Sequence, residues 1–63
     1  MTYDEAMEST RNGGKVKREQ WPAGEYVYYT DDVYIIQYAA RGDNTYVSSE
    51  LDKEAEDWLQ LSD

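Results

Sequence analysis

The chain predicts an α+β domain: an N-terminal helix, a three- to four-stranded antiparallel sheet, and a short C-terminal helix packed on that sheet. Three observations lead there. Residues 2–11 carry apolar side chains at helical spacing, residues 25–47 alternate β-forming runs with turn residues, and residues 49–59 return to helical spacing. All 63 residues read as one small domain, with no linker, repeat or low-complexity stretch.

Thr2 opens the first helix. Its hydroxyl can cap first-turn amides, and Glu5 three residues on completes a capping box. Tyr3, Ala6, Met7 and Thr10 then form a narrow inward stripe. Asp4 and Glu5 complement the positive end of the helix and Arg11 its negative end. Asn12-Gly13-Gly14 stops it. Lys15 to Trp21 reads as a short strand centred on Val16, closed by Pro22-Ala23-Gly24. Glu25 to Thr30 and Val33 to Ala40 follow as strands, with Asp31-Asp32 as the tight turn between them. Arg41-Gly42-Asp43-Asn44 supplies the next turn, with no recognition role, before Thr45-Tyr46-Val47. Ser49, with Asp52 three residues later, caps the second helix. There Leu51, Ala55, Trp58 and Leu59 share a face, and Trp21 and Trp58 are assigned to the core.

The chain has fourteen acidic and six basic residues, a net charge of −8. Four of the cations, Arg11, Lys15, Lys17 and Arg18, sit together. From Glu19 to Asp63, eleven acids face only Arg41 and Lys53, a local net of −9. Such a field repels nucleic acid and anionic membranes and favours a cationic protein surface as partner. No apolar run is long enough to cross a bilayer, and no signal peptide is recognised at the N-terminus. Without cysteine there is no disulfide framework, so a cytoplasmic location is expected, with homo-oligomerisation as a source of added stability.

The absence of histidine and cysteine removes the usual general base, thiol nucleophile and soft metal ligands. The expectation is a non-enzymatic protein without cofactor or metal. Asn12-Gly13-Gly14-Lys15 lacks the Ser/Thr and following helix of a phosphate-binding loop and reads as a helix cap. Seven tyrosines and two tryptophans beside no phenylalanine suggest aromatic rings left half-exposed for binding. In the second helix, Glu50–Glu54 and Asp52–Glu56 are like-charge pairs one turn apart, an arrangement that costs stability.

Asp4-Glu5-Ala6-Met7, Gly14-Lys15-Val16-Lys17-Arg18-Glu19-x-Trp21, Tyr34-Ile35 and Ser49-x-x-Asp52-x-x-Ala55-Glu56-Asp57-Trp58 together resemble the phage Thoeris anti-defence type 2 family. That resemblance implies a small oligomeric α+β protein of counter-defence, one that sequesters cyclic nucleotide or ADP-ribose-type immune signals at subunit interfaces. Pro22-Ala23-Gly24 and Tyr46 depart from the family pattern.

Combined with the charge, the leading expectation is a phage-type inhibitor resembling acidic anti-CRISPR proteins. It would mimic nucleic acid and block a basic surface of a bacterial immune effector, without binding nucleic acid or membrane itself. Its expected contacts are Asp31, Asp32, Glu50, Glu54, Glu56 and Asp57, with Tyr28 and Tyr29 as aromatic anchors. The alternative, signal capture, assigns phosphate binding to Lys17 and Arg18 and base stacking to a tyrosine.

Overall fold

A computed structural model describes residues 1–61. Helix α1 (Tyr3–Arg11) is followed by strands β1 (Val16–Arg18), β2 (Tyr26–Thr30), β3 (Val33–Tyr38) and β4 (Gly42–Thr45). A one-turn helix α2 (Glu50–Glu54) and a last strand β5 (Trp58–Gln60) complete the order. The strands form one antiparallel sheet in the order β4-β3-β2-β1-β5. The expected α+β plan holds, with five strands rather than three to four.

Local chemistry explains most boundaries. Thr2 Oγ1 accepts from the Glu5 amide at 3.3 Å, and the Thr2 amide donates to Glu5 Oε1 at 2.9 Å, so the capping box is closed. Helix α1 ends at Asn12, and Gly13 turns the chain with φ +94°. At Gly14 a Cβ would lie 2.6 Å from Ser9 Oγ and 2.9 Å from the Ser9 carbonyl oxygen, so only glycine fits against the helix end. Asp31 and Asp32 join β2 to β3 with φ of 50° and 64°, the positive pair that a type I′ hairpin turn requires. The next turn falls earlier than expected, at Ala39 to Arg41: Gly42 to Asn44 already pair with β3, through Tyr38↔Gly42 and Ile36↔Asn44.

The second helix is the main correction. It stops at Glu54, and Ala55 is already extended with ψ 144°. Trp58 and Leu59 therefore share no helical face with Leu51, which is 72% exposed. Glu56 and Asp57 also lie beyond the helix, so Asp52 and Glu56 are not an i, i+4 helical pair. Extending α2 would have added carboxylates at its negative end. As a strand, the same residues alternate: Trp58 turns fully inward, Leu59 outward, and β5 supplies hydrogen-bonding partners to the free edge of β1.

The core lies between α1 and one face of the sheet. Ala6, Met7, Val16, Val27, Ile36 and Trp58 are buried, as is Thr10, whose hydroxyl donates to the Met7 carbonyl at 2.6 Å. Trp58 is its centre, meeting Tyr3 and Trp21 edge-on at ring separations of 6.0 and 5.4 Å. The opposite sheet face carries Lys17, Leu59, Tyr26, Tyr28, Ile35, Gln37 and Asp43, by alternation with the buried positions. Among the described residues no helix packs on it, since α1 neighbours β1, β2 and β5 from the core side and α2 neighbours α1.

Candidate functional site

Three aromatic side chains distant in sequence converge on one cleft of about 310 Å³. Trp21 comes from the segment after β1, Tyr38 from the end of β3, and Tyr46 from just past β4. Ile36 forms part of the floor, and Glu25 and Asp52 contribute carboxylates. Each ring is half-buried and packs its inner edge on the core, so the cleft walls are held by the same contacts that hold the fold.

Asp52 is the hub beside it. Its Oδ2 accepts from the Tyr46 hydroxyl at 2.8 Å, and its Oδ1 lies 3.4 Å from Arg18 Nη1. The Asp52 carbonyl accepts from Trp58 Nε1 at 3.1 Å, and its amide donates to Ser49 Oγ at 3.2 Å. Arg18 also reaches Asp57, Nε to Oδ1, at 3.0 Å. The Arg18 and Asp52 side chains are only 14% and 13% exposed, so this ion pair is poorly screened. Burial, reinforced by the hydrogen bond to Asp52, pushes the Tyr46 phenol far above its ordinary range. The Asp57 carboxyl is held low by its hydrogen bond from Arg18, and the Arg18 guanidinium is correspondingly raised.

Arg41 stacks over the ring of Tyr38, its guanidinium carbon 4.3 Å from the ring centre, and is itself exposed. Among the described residues it makes no ion pair. The sequence pattern assigns Arg41 to a turn and Trp21 to the core. Trp21 does pack on the core but also lines the cleft, and neither role is signalled by spacing. The one sequence hint was the excess of amphipathic rings.

The expected partner-binding residues do not gather on one surface. Asp31 and Asp32 sit at the hairpin tip next to the Thr30↔Val33 pair, exposed. Arg18, which holds Asp52 and Asp57, lies at the other end, because the Val16↔Val27 pairing places it beyond Tyr26. Glu50, Glu54 and Glu56 are exposed at that far end, whereas Asp57 faces Arg18. Tyr28 and Tyr29 point to opposite sheet faces. The first donates to Asp43 Oδ2 at 2.7 Å, and the second meets Tyr34 edge-on at 4.9 Å. Of the expected phosphate ligands, Arg18 is engaged by two carboxylates, and the Lys17 ammonium donates to the Trp21 carbonyl.

Stacking walls, fixed hydrogen-bonding groups and one exposed guanidinium are the equipment of a small binding domain. Among the described residues no cluster of side chains could hold a metal ion. The chain matches the Thoeris anti-defense 2-like (Tad2-like) domain over residues 1–61 and belongs to that family, a family of anti-defence proteins. No curated protein matches the chain.

Proposed function

We propose that the protein counters Thoeris-type immunity by binding and withholding a nucleotide signal of the cyclic ADP-ribose class, without chemically altering it. The observation that carries this is the convergence of Trp21, Tyr38 and Tyr46 on one cleft. A purine base stacks on such walls at about 1–3 kcal/mol, and Glu25 can accept a hydrogen bond from an exocyclic amine. Arg41, exposed on Tyr38, is a cation available to a phosphate. Family membership supports the same reading, since signal capture is what the resemblance implies.

The test is capture and recovery. Purified protein is mixed with a cyclic ADP-ribose, the unbound fraction is removed by ultrafiltration, and the protein is then heat-denatured. The nucleotide is expected to be retained and afterwards released unchanged, with retention reduced in Arg41→Ala. Free passage of every cyclic ADP-ribose isomer through the filter, or recovery of a cleaved product, overturns the proposal.

A second reading, the nucleic-acid-like decoy for a basic effector surface, is favoured by one observation: Asp31, Asp32, Glu50, Glu54 and Glu56 all face solvent in a chain of net charge −8. Because those carboxylates divide between two ends of the sheet, the decoy requires either a partner that spans the domain or two contact sites. Loss of inhibition in Glu50→Gln/Glu54→Gln/Glu56→Gln, with nucleotide capture intact, would select it.

A further inference from the structure

We infer that the cleft is a socket for a guanidinium, entered by an arginine side chain of a basic protein partner as its anchor. The inference does not rest on signal capture; it gives the second reading, a basic partner, a defined point of entry.

Charge is the first argument. Glu25 and Asp52 line the cleft, and no lysine or arginine is among its lining residues. Arg18 offsets Asp52, but among the described residues Glu25 makes no ion pair. Glu25 is half-buried, so its carboxylate is partly stripped of water with no cation to match it. Glu50, Glu54 and Glu56 are exposed at the same end of the sheet, in a chain of net charge −8. The summed field draws cations towards this mouth. A nucleotide would turn only its neutral base inward.

Shape is the second. The rings of Trp21, Tyr38 and Tyr46 wall a space of about 310 Å³. An aromatic face carries partial negative charge and attracts a cation, and a guanidinium is the cation that stacks flat on it. It is also less tightly hydrated than an ammonium and presents a fork of N–H donors to a carboxylate. The fold already uses both modes. Arg41 lies over Tyr38 with its guanidinium carbon 4.3 Å from the ring centre, and Arg18 reaches Asp57 and Asp52 at 3.0 and 3.4 Å. An arginine brought from outside combines them, its plane on the rings and its N–H edge on Glu25.

The rim supplies the third. Val47, at the edge of the cleft, is 82% exposed, and Leu51, the residue before Asp52, is 72% exposed. Among the described residues these are the most exposed large apolar side chains. An aromatic pocket with aliphatic neighbours and a charged periphery is the anatomy of an interface hot spot, where arginine is enriched. The partner segment therefore carries an arginine with an aliphatic residue close by and further basic residues around it.

The test is a nuclear magnetic resonance titration of the isotope-labelled full chain with three blocked tripeptides. They are alike except for a central arginine, lysine or citrulline, the last keeping the planar shape of arginine without its charge. The arginine peptide is expected to shift the Trp21 indole N–H and the Tyr38 and Tyr46 amides in a saturable way. Lysine is expected to bind about threefold more weakly and citrulline about tenfold more weakly or worse. Glu25→Gln is expected to weaken the arginine peptide about tenfold and to leave citrulline unchanged. The three peptides on the wild type decide the matter even if Glu25→Gln fails to fold. Citrulline or lysine binding as tightly as arginine, shifts confined to residues outside the cleft, or no saturable shift overturns the inference. No nucleotide enters this titration, so its outcome and that of the capture experiment are read independently.

Discussion

Asp52 joins three segments, and its loss has a calculable cost. In Asp52→Ala the half-buried Tyr46 hydroxyl loses a 2.8 Å bond to a charged acceptor, a class of bond contributing about 1.5–3 kcal/mol. Arg18 loses its contact at 3.4 Å but keeps Asp57 at 3.0 Å, so its charge is not left unpaired and the ion-pair share is about 1 kcal/mol, well below the cost of a buried pair broken outright. Backbone groups are untouched, so Trp58 Nε1 still donates to the residue 52 carbonyl. The expected loss is about 2–4 kcal/mol, against a total stability of roughly 3–9 kcal/mol for a domain of this size. For so small a domain that corresponds to a fall in Tm of about 15–30 °C.

Thermal and urea denaturation followed by circular dichroism measure it. Tyr46→Phe removes only the hydroxyl and is expected to cost about 1–2 kcal/mol. The Asp52→Ala/Tyr46→Phe pair is expected to cost at least about 1 kcal/mol less than the sum of the singles, since both remove one shared bond. Additive losses, or an Asp52→Ala variant within about 0.5 kcal/mol of wild type, refute the view that this network organises the cleft.

Three further outcomes follow from the structure. The Asp57 carboxyl is lowered on folding by its hydrogen bond from Arg18, so its stabilisation is present above the ordinary carboxylate range and is lost as pH falls through its folded-state value; the urea midpoints of wild type and Asp57→Asn should therefore converge in acid. The Tyr28 phenol, raised to about 12 chiefly by its hydrogen bond to Asp43, should ionise nearer the usual tyrosine range in Asp43→Ala, read as the tyrosinate absorbance that Tyr28→Phe removes. Asp31→Asn/Asp32→Gly should raise stability by about 1 kcal/mol, because asparagine and glycine tolerate positive φ better than two aspartates do; an unchanged or lower urea midpoint would exclude turn strain.

Much of this fold is readable from local chemistry. Thr2 and Glu5 declare the start of α1, Gly13 and Gly14 its end, and Asp31-Asp32 the hairpin, because each depends on neighbours within a few residues. The last strand is different. Ala55, Trp58 and Leu59 suit helical spacing, and Trp58 to Gln60 equally suit alternation, so a window this short does not decide. What decides is β1, whose free edge lies more than thirty residues upstream and accepts β5 as partner. The cleft was illegible for the same reason: Trp21, Tyr38 and Tyr46 meet only once the sheet has formed. The acidic residues misled in a specific way. Composition counts Asp52 and Asp57 with the surface charge, whereas Arg18, 34 and 39 residues away, draws both inward.

Those two ion pairs also shape how charge separates the rival readings. Asp52, Asp57 and Arg18 together carry only −1 of the chain's net −8, so neutralising them against one another leaves nearly all of the outward field in place. Under the signal-capture proposal, an anionic nucleotide is therefore repelled at long range and held only at contact, by stacking and by Arg41. Salt screens the distant repulsion within about 8 Å at physiological ionic strength, while contact inside a half-buried cleft is screened much less. Association of a cyclic ADP-ribose should consequently quicken, or hold steady, as salt rises from low to physiological. A basic protein partner obeys the opposite sign, since its approach is accelerated by the same field and slows steeply with salt. Stopped-flow association rates at two ionic strengths read that sign directly. A nucleotide on-rate that falls steeply with salt would mean that a cationic surface the structure does not display governs capture, and the cleft assignment would fail.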